Sequence, residues 1–372
     1  MMEDKQKIQP RKSLQQIQPY SPGKPIWEVQ KELGLDRVIK LASNENPLGP
    51  SPMAIEAISK SINGINRYPD ADATHVKEII SKKLHVQSEQ LIVTNGADEL
   101  ITLISEAYLE EGLEIIVPSP SFSEYDFGAH VMGASVVAVP LGEDYEYDIE
   151  AILSAISERT KIVYICSPNN PTGTYLAKAK LQHLLDSVPE QVLVVFDGAY
   201  SHYAKAEDYT NGLEFVEQGY LIIVLHTFSK IYGLAGVRIG YGVASQEIVK
   251  DILKVKEPFN VNTIAQVAAT AAIADGKHVN DSQAMNENGR KQMYEAFSKL
   301  GIHYIESMSN FVLVHIGPNA KHVYEQLMAK GIIVRYGGIW GLTEHLRISV
   351  GTTEENEILL EKIGSIIKRD LP

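Results

Sequence analysis

Lys230 stands in Thr227-Phe228-Ser229-Lys230-Ile231-Tyr232-Gly233-Leu234-Ala235-Gly236-Val237-Arg238-Ile239-Gly240, a small-residue loop after an apolar run, with Arg238 eight residues on. A lysine attacks a carbonyl only after giving up its proton, and a confined site promotes that loss. A nearby arginine can neutralise a phosphate and, by like-charge repulsion, lower the lysine's proton affinity. In Val194-Val195-Phe196-Asp197-Gly198-Ala199-Tyr200 an acid ends an apolar run. That is where α/β sheets place ligand-binding groups, although Asp197 alone is equally an acid that opens a loop. Asn170 lies in the turn cluster Ser167-Pro168-Asn169-Asn170-Pro171-Thr172-Gly173. Thr94-Asn95-Gly96-Ala97-Asp98-Glu99-Leu100 leaves one apolar run and opens a helical pattern. Backbone N–H groups at such a helix start suit an anion, while the acids also fit ordinary first-turn positions.

These residues need a scaffold that brings strand ends together. Short apolar runs at Leu91–Thr94, Glu114–Val117, Ser135–Val139, Ile162–Cys166, Val192–Phe196, Leu221–His226 and Arg238–Val243 are expected strands. Several are continuous Val/Ile/Leu, as in a mostly parallel sheet buried on both faces. Helix-period segments such as Ala179–Asp186 alternate with them, which predicts an α/β layered domain. Ser51-Pro52 reads as a cap and first-turn proline. Val76, Ile79, Ile80 and Leu84 recur at helical spacing in the next helix. Beyond Pro258 the pattern predicts helices over Thr263–Asp275 and Val279–Leu300. Short strands over Phe311–Ile316, Ile332–Arg335 and Leu346–Val350 and a closing helix over Glu354–Lys368 follow, a smaller α+β unit. The expected division is an N-terminal arm over 1–45, a large domain over 46–275 and a small domain over 276–372.

The bulk properties narrow the function classes. The chain has 372 residues, 44% hydrophobic and 22% charged, enough for a large core. Its net charge of −13, with basic residues scattered among acids, argues against nucleic-acid binding. Cys166 is the single cysteine, so no internal disulfide forms, which suits a reducing compartment. The first twenty residues lack the apolar run of a secretory signal, and no stretch is long enough to span a bilayer, so the cytoplasm is expected. No Gly-x-Gly-x-x-Gly follows a strand and no His/Cys/Asp cluster has metal-ligand spacing.

The Lys230 stretch resembles the lysine-anchor motif of fold type I pyridoxal-phosphate aminotransferases, and the other motifs occur in the expected order. Asp197-Gly198-Ala199-Tyr200 resembles the Asp-x-Ala-Tyr motif, with Gly198 where many relatives carry Glu. Ser167–Gly173 resembles the Asn-Pro-Asn-Asn-Pro-Thr-Gly loop, with Ser167 the one replacement. The resemblance implies a large domain with a mostly parallel seven-stranded sheet sandwiched by helices, a smaller α+β domain, and pyridoxal phosphate as cofactor. It makes Lys230 the catalytic lysine, Asp197 the carboxylate at the pyridine nitrogen, and Asn170 and Tyr200 the donors to the phenolic oxygen. Gly96, Ala97 and Asp98 would cradle the phosphate by backbone, Ser229 and Arg238 by side chain. Phe122, in Pro118-Ser119-Pro120-Ser121-Phe122-Ser123-Glu124-Tyr125, would face the ring.

The ends of the chain resemble histidinol-phosphate aminotransferases. The markers are Gln18-Pro19-Tyr20-Ser21-Pro22-Gly23-Lys24, Leu41-Ala42-Ser43-Asn44-Glu45-Asn46-Pro47-Leu48-Gly49, Arg67-Tyr68-Pro69-Asp70, Ile333-Val334-Arg335 and His345-Leu346-Arg347-Ile348-Ser349-Val350-Gly351. Arg347 then resembles the arginine that grips a substrate carboxylate, for which a planar fork is suited. Arg335 resembles a second arginine, joining it on the substrate phosphate. Tyr20 resembles a tyrosine lent to that phosphate by a partner subunit, and Tyr68 one lent to the cofactor phosphate. Both imply a homodimer with shared active sites. Asn44 and Asn310 are polar candidates for the substrate side. An aromatic amino-acid aminotransferase or a threonine-phosphate decarboxylase on the same scaffold remains open. A cofactor-sensing regulator is disfavoured, because only about forty residues precede the Asn44 motif.

Overall fold

The computed structural model describes residues 8–15, 17 and 24–370. Its strands, in chain order, are β1 (Ile39–Lys40), β2 (Leu91–Thr94), β3 (Glu114–Ser119), β4 (Ser135–Pro140), β5 (Thr160–Cys166), β6 (Leu193–Asp197), β7 (Ile222–Thr227), β8 (Gly240–Val243), β9 (His303–Tyr304), β10 (Phe311–His315), β11 (Ile332–Ile333), β12 (Arg335–Tyr336) and β13 (His345–Ser349). The seven strands expected in the first two thirds of the chain form one sheet, in the order β2-β8-β7-β6-β5-β3-β4. Within it β8 alone runs antiparallel to its neighbours. Alternate residues of β6 and β7 face two separate apolar clusters. Val194, Phe196, Ile222 and Val224 point one way, and Leu193, Val195, Ile223 and Leu225 the other. A sheet covered on both faces explains why these strands read as continuous Val/Ile/Leu runs.

β8 begins at Gly240 rather than Arg238, because a short 3-10 turn over Ala235–Val237 and a left-handed Arg238 (φ 58°) precede it. A Cβ on Gly240 would stand 2.7 Å from the Ala97 nitrogen, so glycine lets the strand lie against the Gly96–Ala97 turn.

The second half differs in detail from the expected pattern. The expected strand Ile332–Arg335 is divided between two sheets. β11 pairs in parallel with β1, and β12 pairs antiparallel with β13 in the four-stranded sheet β12-β13-β10-β9. Val334, between them, is buried in the third apolar cluster with Val312, Val314, Leu346 and Ile348. The chain thus serves both sheets without leaving the core. The helical region divides at Asp275, which caps the helix Gly276–Lys299 by accepting from the His278 N–H at 3.1 Å. Ser51 caps the helix Pro52–Ser61 and donates its hydroxyl to Asp275 at 2.7 Å, tying the two helix starts together. Among the described residues no helix is long and apolar enough to cross a membrane.

Candidate active site

The C-terminal ends of β5, β6 and β7 open onto one cavity of about 270 Å³. Its wall includes Asn44, Ala97, Asp98, Phe122, Asn170, Asp197, Tyr200, Ser229, Lys230, Arg238, Arg335 and Arg347. Twelve positions scattered over some three hundred residues therefore converge on one space, at the place where parallel sheets bind ligands.

Lys230 follows β7 and is half-buried, its Nζ 3.2 Å from the Ser43 carbonyl and 5.7 Å from the centre of the Tyr200 ring. Burial first, and the Arg347 guanidinium next, push its amine down to about 8. Asp98 and Glu45 oppose that shift.

Asp197 ends β6, and its carboxylate is buried. One oxygen accepts the Tyr125 hydroxyl at 2.7 Å and the other the Ala199 N–H at 3.0 Å. Burial raises its proton affinity, and these two donors pull it down.

Two donors on the wall have their orientation fixed from behind. The Asn44 Oδ1 accepts from the Ser349 hydroxyl at 2.9 Å, so its Nδ2 faces and donates to the Tyr200 oxygen, also at 2.9 Å. Tyr200 accepts there and keeps its own hydrogen to donate elsewhere. Asn44 holds this geometry with a left-handed backbone (φ 56°), braced by Asn310, which donates to its carbonyl at 2.9 Å. Arg347 donates to the Asn170 Oδ1. A guanidinium has no acceptor, so the Asn170 oxygen must face it and the amide N–H groups turn the other way.

Across the cavity, Gly96 (φ 91°) precedes the helix Ala97–Tyr108. A Cβ there would meet the Arg238 Nη2 at 2.3 Å, so only glycine lets the guanidinium lie against the helix start. Arg238 also donates to the Ser229 hydroxyl at 3.1 Å and pairs with the Asp98 carboxylate at 3.0 Å. A helix N-terminus, a hydroxyl and a guanidinium form a cradle suited to a phosphate. These residues fit pyridoxal phosphate: an amine of low proton affinity, a buried carboxylate, two aimed donors and an anion cradle, with Phe122 also on the wall.

Tyr20 is outside the described residues. Tyr68 is 83% exposed and stacks on Phe259 with ring centres 4.7 Å apart, away from this chain's own cavity. Three contributors were missed by sequence reasoning. Tyr125 holds Asp197 across 72 residues of chain. Phe311 and Trp340 each place a ring beside the Arg347 guanidinium, at 5.2 and 5.0 Å. No motif signals the Tyr125 and Phe311 contacts, made between residues far apart in the chain, and the Trp340 contact depends on how the turn at Gly337–Trp340 closes.

The chain is similar to known proteins over nearly its whole length. The model of the family "Aminotransferase class I and II" matches residues 36–363. A histidinol-phosphate aminotransferase of Moorella thermoacetica is 48% identical over 358 residues, 96% of this chain and 92% of that protein. One of Bacillus pumilus is 42% identical over 95% of this chain and 97% of its own length. The crystal structure of histidinol-phosphate aminotransferase from Sinorhizobium meliloti, in complex with pyridoxal-5'-phosphate, superposes with a TM-score of 0.87 at 25% identity, covering 95% of this chain and 98% of that one. The chain belongs to the class I and II aminotransferase family, in its histidinol-phosphate aminotransferase branch.

Proposed function

We propose that this protein is a pyridoxal-phosphate-dependent enzyme that transfers the amino group of L-histidinol phosphate to 2-oxoglutarate, giving imidazole-acetol phosphate and glutamate, in cytoplasmic histidine biosynthesis. The observation that carries this reading is the register of β12 and β13. Arg335 and Arg347 are direct partners across the antiparallel pair, and both line the cavity that holds Lys230. Side chains of such a pair lie on the same face, and like charges there repel. An anion reached by both guanidinium forks gains charge-assisted hydrogen bonds from each, and a phosphate monoester or a second carboxylate is such an anion.

When bound, pyridoxal phosphate supplies a carbonyl that takes up an amino group and a ring that withdraws electrons from the substrate carbon. The chain's residues prepare both ends of that chemistry. Ala97, Asp98, Ser229 and Arg238 hold the phosphate, with Gly96 making room for the guanidinium. Asp197 holds a proton on the ring nitrogen, and Tyr200 and Asn170 donate to the ring oxygen. Phe122 covers one face. Lys230, neutral once released, moves a proton to and from the substrate carbon. Arg335 and Arg347 orient the substrate by its anionic group. Because one pocket serves both amino donor and acceptor in turn, ping-pong kinetics are expected.

The half-reaction tests the substrate assignment. Mixed with the cofactor-loaded protein in the absence of an oxo acid, histidinol phosphate is expected to convert the cofactor's absorbance at least about tenfold faster than phenylalanine. A tenfold preference corresponds to the roughly 1.4 kcal/mol expected of one charged contact. Faster conversion with phenylalanine would move the protein to the aromatic aminotransferases and remove the phosphate role of Arg335.

The exposed Tyr68–Phe259 stack, with Met53, Ile55, Ile62 and Ile65 also exposed nearby in sequence, supports a homodimer in which Tyr68 reaches the partner's cofactor phosphate, and the family resemblance assigns Tyr20 to the partner's substrate phosphate. Tyr68→Phe is expected to weaken cofactor retention by about threefold to tenfold, the worth of one hydrogen bond to a charged group. Equilibrium dialysis measures it, and sedimentation of the wild type should give twice the chain mass. A monomer that retains cofactor as well as wild type would sink the shared-site reading.

A further inference from the structure

The Arg347 guanidinium is held by hydrogen bonds and lies over two aromatic rings. Its nitrogens donate to Asn170 Oδ1 and to the Ala42 carbonyl, the latter at 2.6 Å. Phe311 and Trp340 rings lie 5.2 and 5.0 Å from its central carbon. The two rings differ in kind. Phe311 belongs to β10, is fully buried, and packs edge-on against Tyr200 at 5.2 Å. Trp340 is half-buried and ends the single turn Gly337–Trp340, between the two arginines in sequence.

That turn is pinned to the strand that carries Arg347. A Cβ on Gly337 would stand 2.3 Å from the Leu342 carbonyl oxygen and 2.8 Å from that of His345, so glycine lets the turn close tightly onto the start of β13. The Leu342 N–H donates to the Gly337 carbonyl at 3.1 Å, and left-handed Gly341 (φ 75°) ends the turn. Trp340 also lines a second, smaller cavity with Pro120, Phe122 and Ile339. Its indole therefore lies between Arg347 and the loop that carries Phe122.

Resting on the function proposed above, we infer that Trp340 is a positioning residue for anionic substrates. With Phe311 it clamps the Arg347 guanidinium between two aromatic rings, so that the fork meets a carboxylate or phosphate at a fixed angle. Cation–π attraction strengthens when the pair is shielded from water, and a pre-oriented fork loses less freedom on binding. Phe311 is the fixed half of the clamp and Trp340, on its turn, the adjustable half.

The chain has two tryptophans, Trp27 and Trp340. Trp27 is 65% exposed on the helix Ile26–Leu33 and does not line the cavity, so Trp27→Phe leaves Trp340 as the sole indole reporter. Titrating that cofactor-loaded protein with succinate, and separately with inorganic phosphate, should change Trp340 emission saturably. In calorimetry, Trp340→Ala should weaken both anions about tenfold, and Trp340→Phe should recover most of the loss. The KM for 2-oxoglutarate should rise by a similar factor while kcat stays within about twofold of wild type, since a clamp on binding leaves the Lys230 step alone. Trp340→Leu keeps apolar bulk without a π face and separates the clamp from mere filling, also where the alanine variant folds poorly. If Trp340→Leu binds both anions as well as Trp340→Phe, or if Trp340→Ala binds as wild type, the clamp is wrong and the proposed function stands. If the wild type itself binds neither anion and Arg347→Gln is no weaker, the reading of the site fails and the clamp with it.

Discussion

Lys230→Ala is expected to lower amino-group transfer by about 10⁴-fold or more, because one side chain both holds the cofactor and moves the proton. Turnover within tenfold of wild type would remove Lys230 from the chemistry. The geometry makes a second, finer demand on the same residue. Its amine is held near 8, well below the ordinary 10.5, by burial and then by Arg347. The sign is that of a cation disfavoured in the folded protein: the proton is lost as pH rises through about 8, and the neutral, reactive amine accumulates above it. Capture of pyridoxal phosphate by the cofactor-free protein should therefore accelerate with pH, with a midpoint near 8. Arg347→Gln removes a neighbouring positive charge and should move that midpoint upward, towards the value of a free lysine. Stopped-flow absorbance across a pH series reads both. A midpoint that stays put in Arg347→Gln would show that burial alone sets it.

The coupling of Lys230 to Arg347 marks the boundary of what the sequence makes legible. Features carried by local pattern are readable: short apolar runs, several of them continuous Val/Ile/Leu, locate the seven strands of the large sheet, and turn chemistry after such runs locates Asp197, Asn170 and the helix start at Ala97. Features set by register are not. Arg335 and Arg347 become partners only because the chain reverses through the turn at Gly337 and β12 meets β13 in that alignment. A slip of one residue would put one of them on the opposite face. Two-residue strands such as Ile39–Lys40 and His303–Tyr304 are too short to carry any period, and they exist because neighbouring strands offer a partner. The division of Ile332–Arg335 between two sheets has the same origin, since an unbroken apolar run cannot reveal which neighbour each half will meet. The hidden partners of the visible residues follow this rule as well. Asn44 and Arg347 belong to visible motifs, yet the Ser349 hydroxyl that orients the one and the Phe311 ring beside the other come from other elements of the fold.

Tyr125 is the most consequential of those hidden partners, and it shapes the expectation for Asp197. Asp197→Asn keeps the size and one acceptor oxygen but removes the charge. If the carboxylate holds a proton on the ring nitrogen, transfer should fall by roughly 10³-fold with the cofactor still bound, comparable to losing a preorganised electrostatic contact in a dry site. Steady-state rates on protein of verified cofactor content measure it, and a loss below about tenfold would mean that the ring proton does not depend on Asp197. Tyr125→Phe probes the same carboxylate more gently. The Tyr125 hydroxyl and the Ala199 N–H both favour the ionised acid, against burial, which raises its proton affinity. Removing one donor should raise that affinity further, so the acidic limb of the pH–rate profile should move to higher pH while the rate on the plateau changes little. A buried acid with a single remaining donor would then be protonated where the wild type is still charged. The direction of that shift separates a Tyr125 that tunes Asp197 from one that merely fills the core, whose loss would lower stability and leave the limb in place.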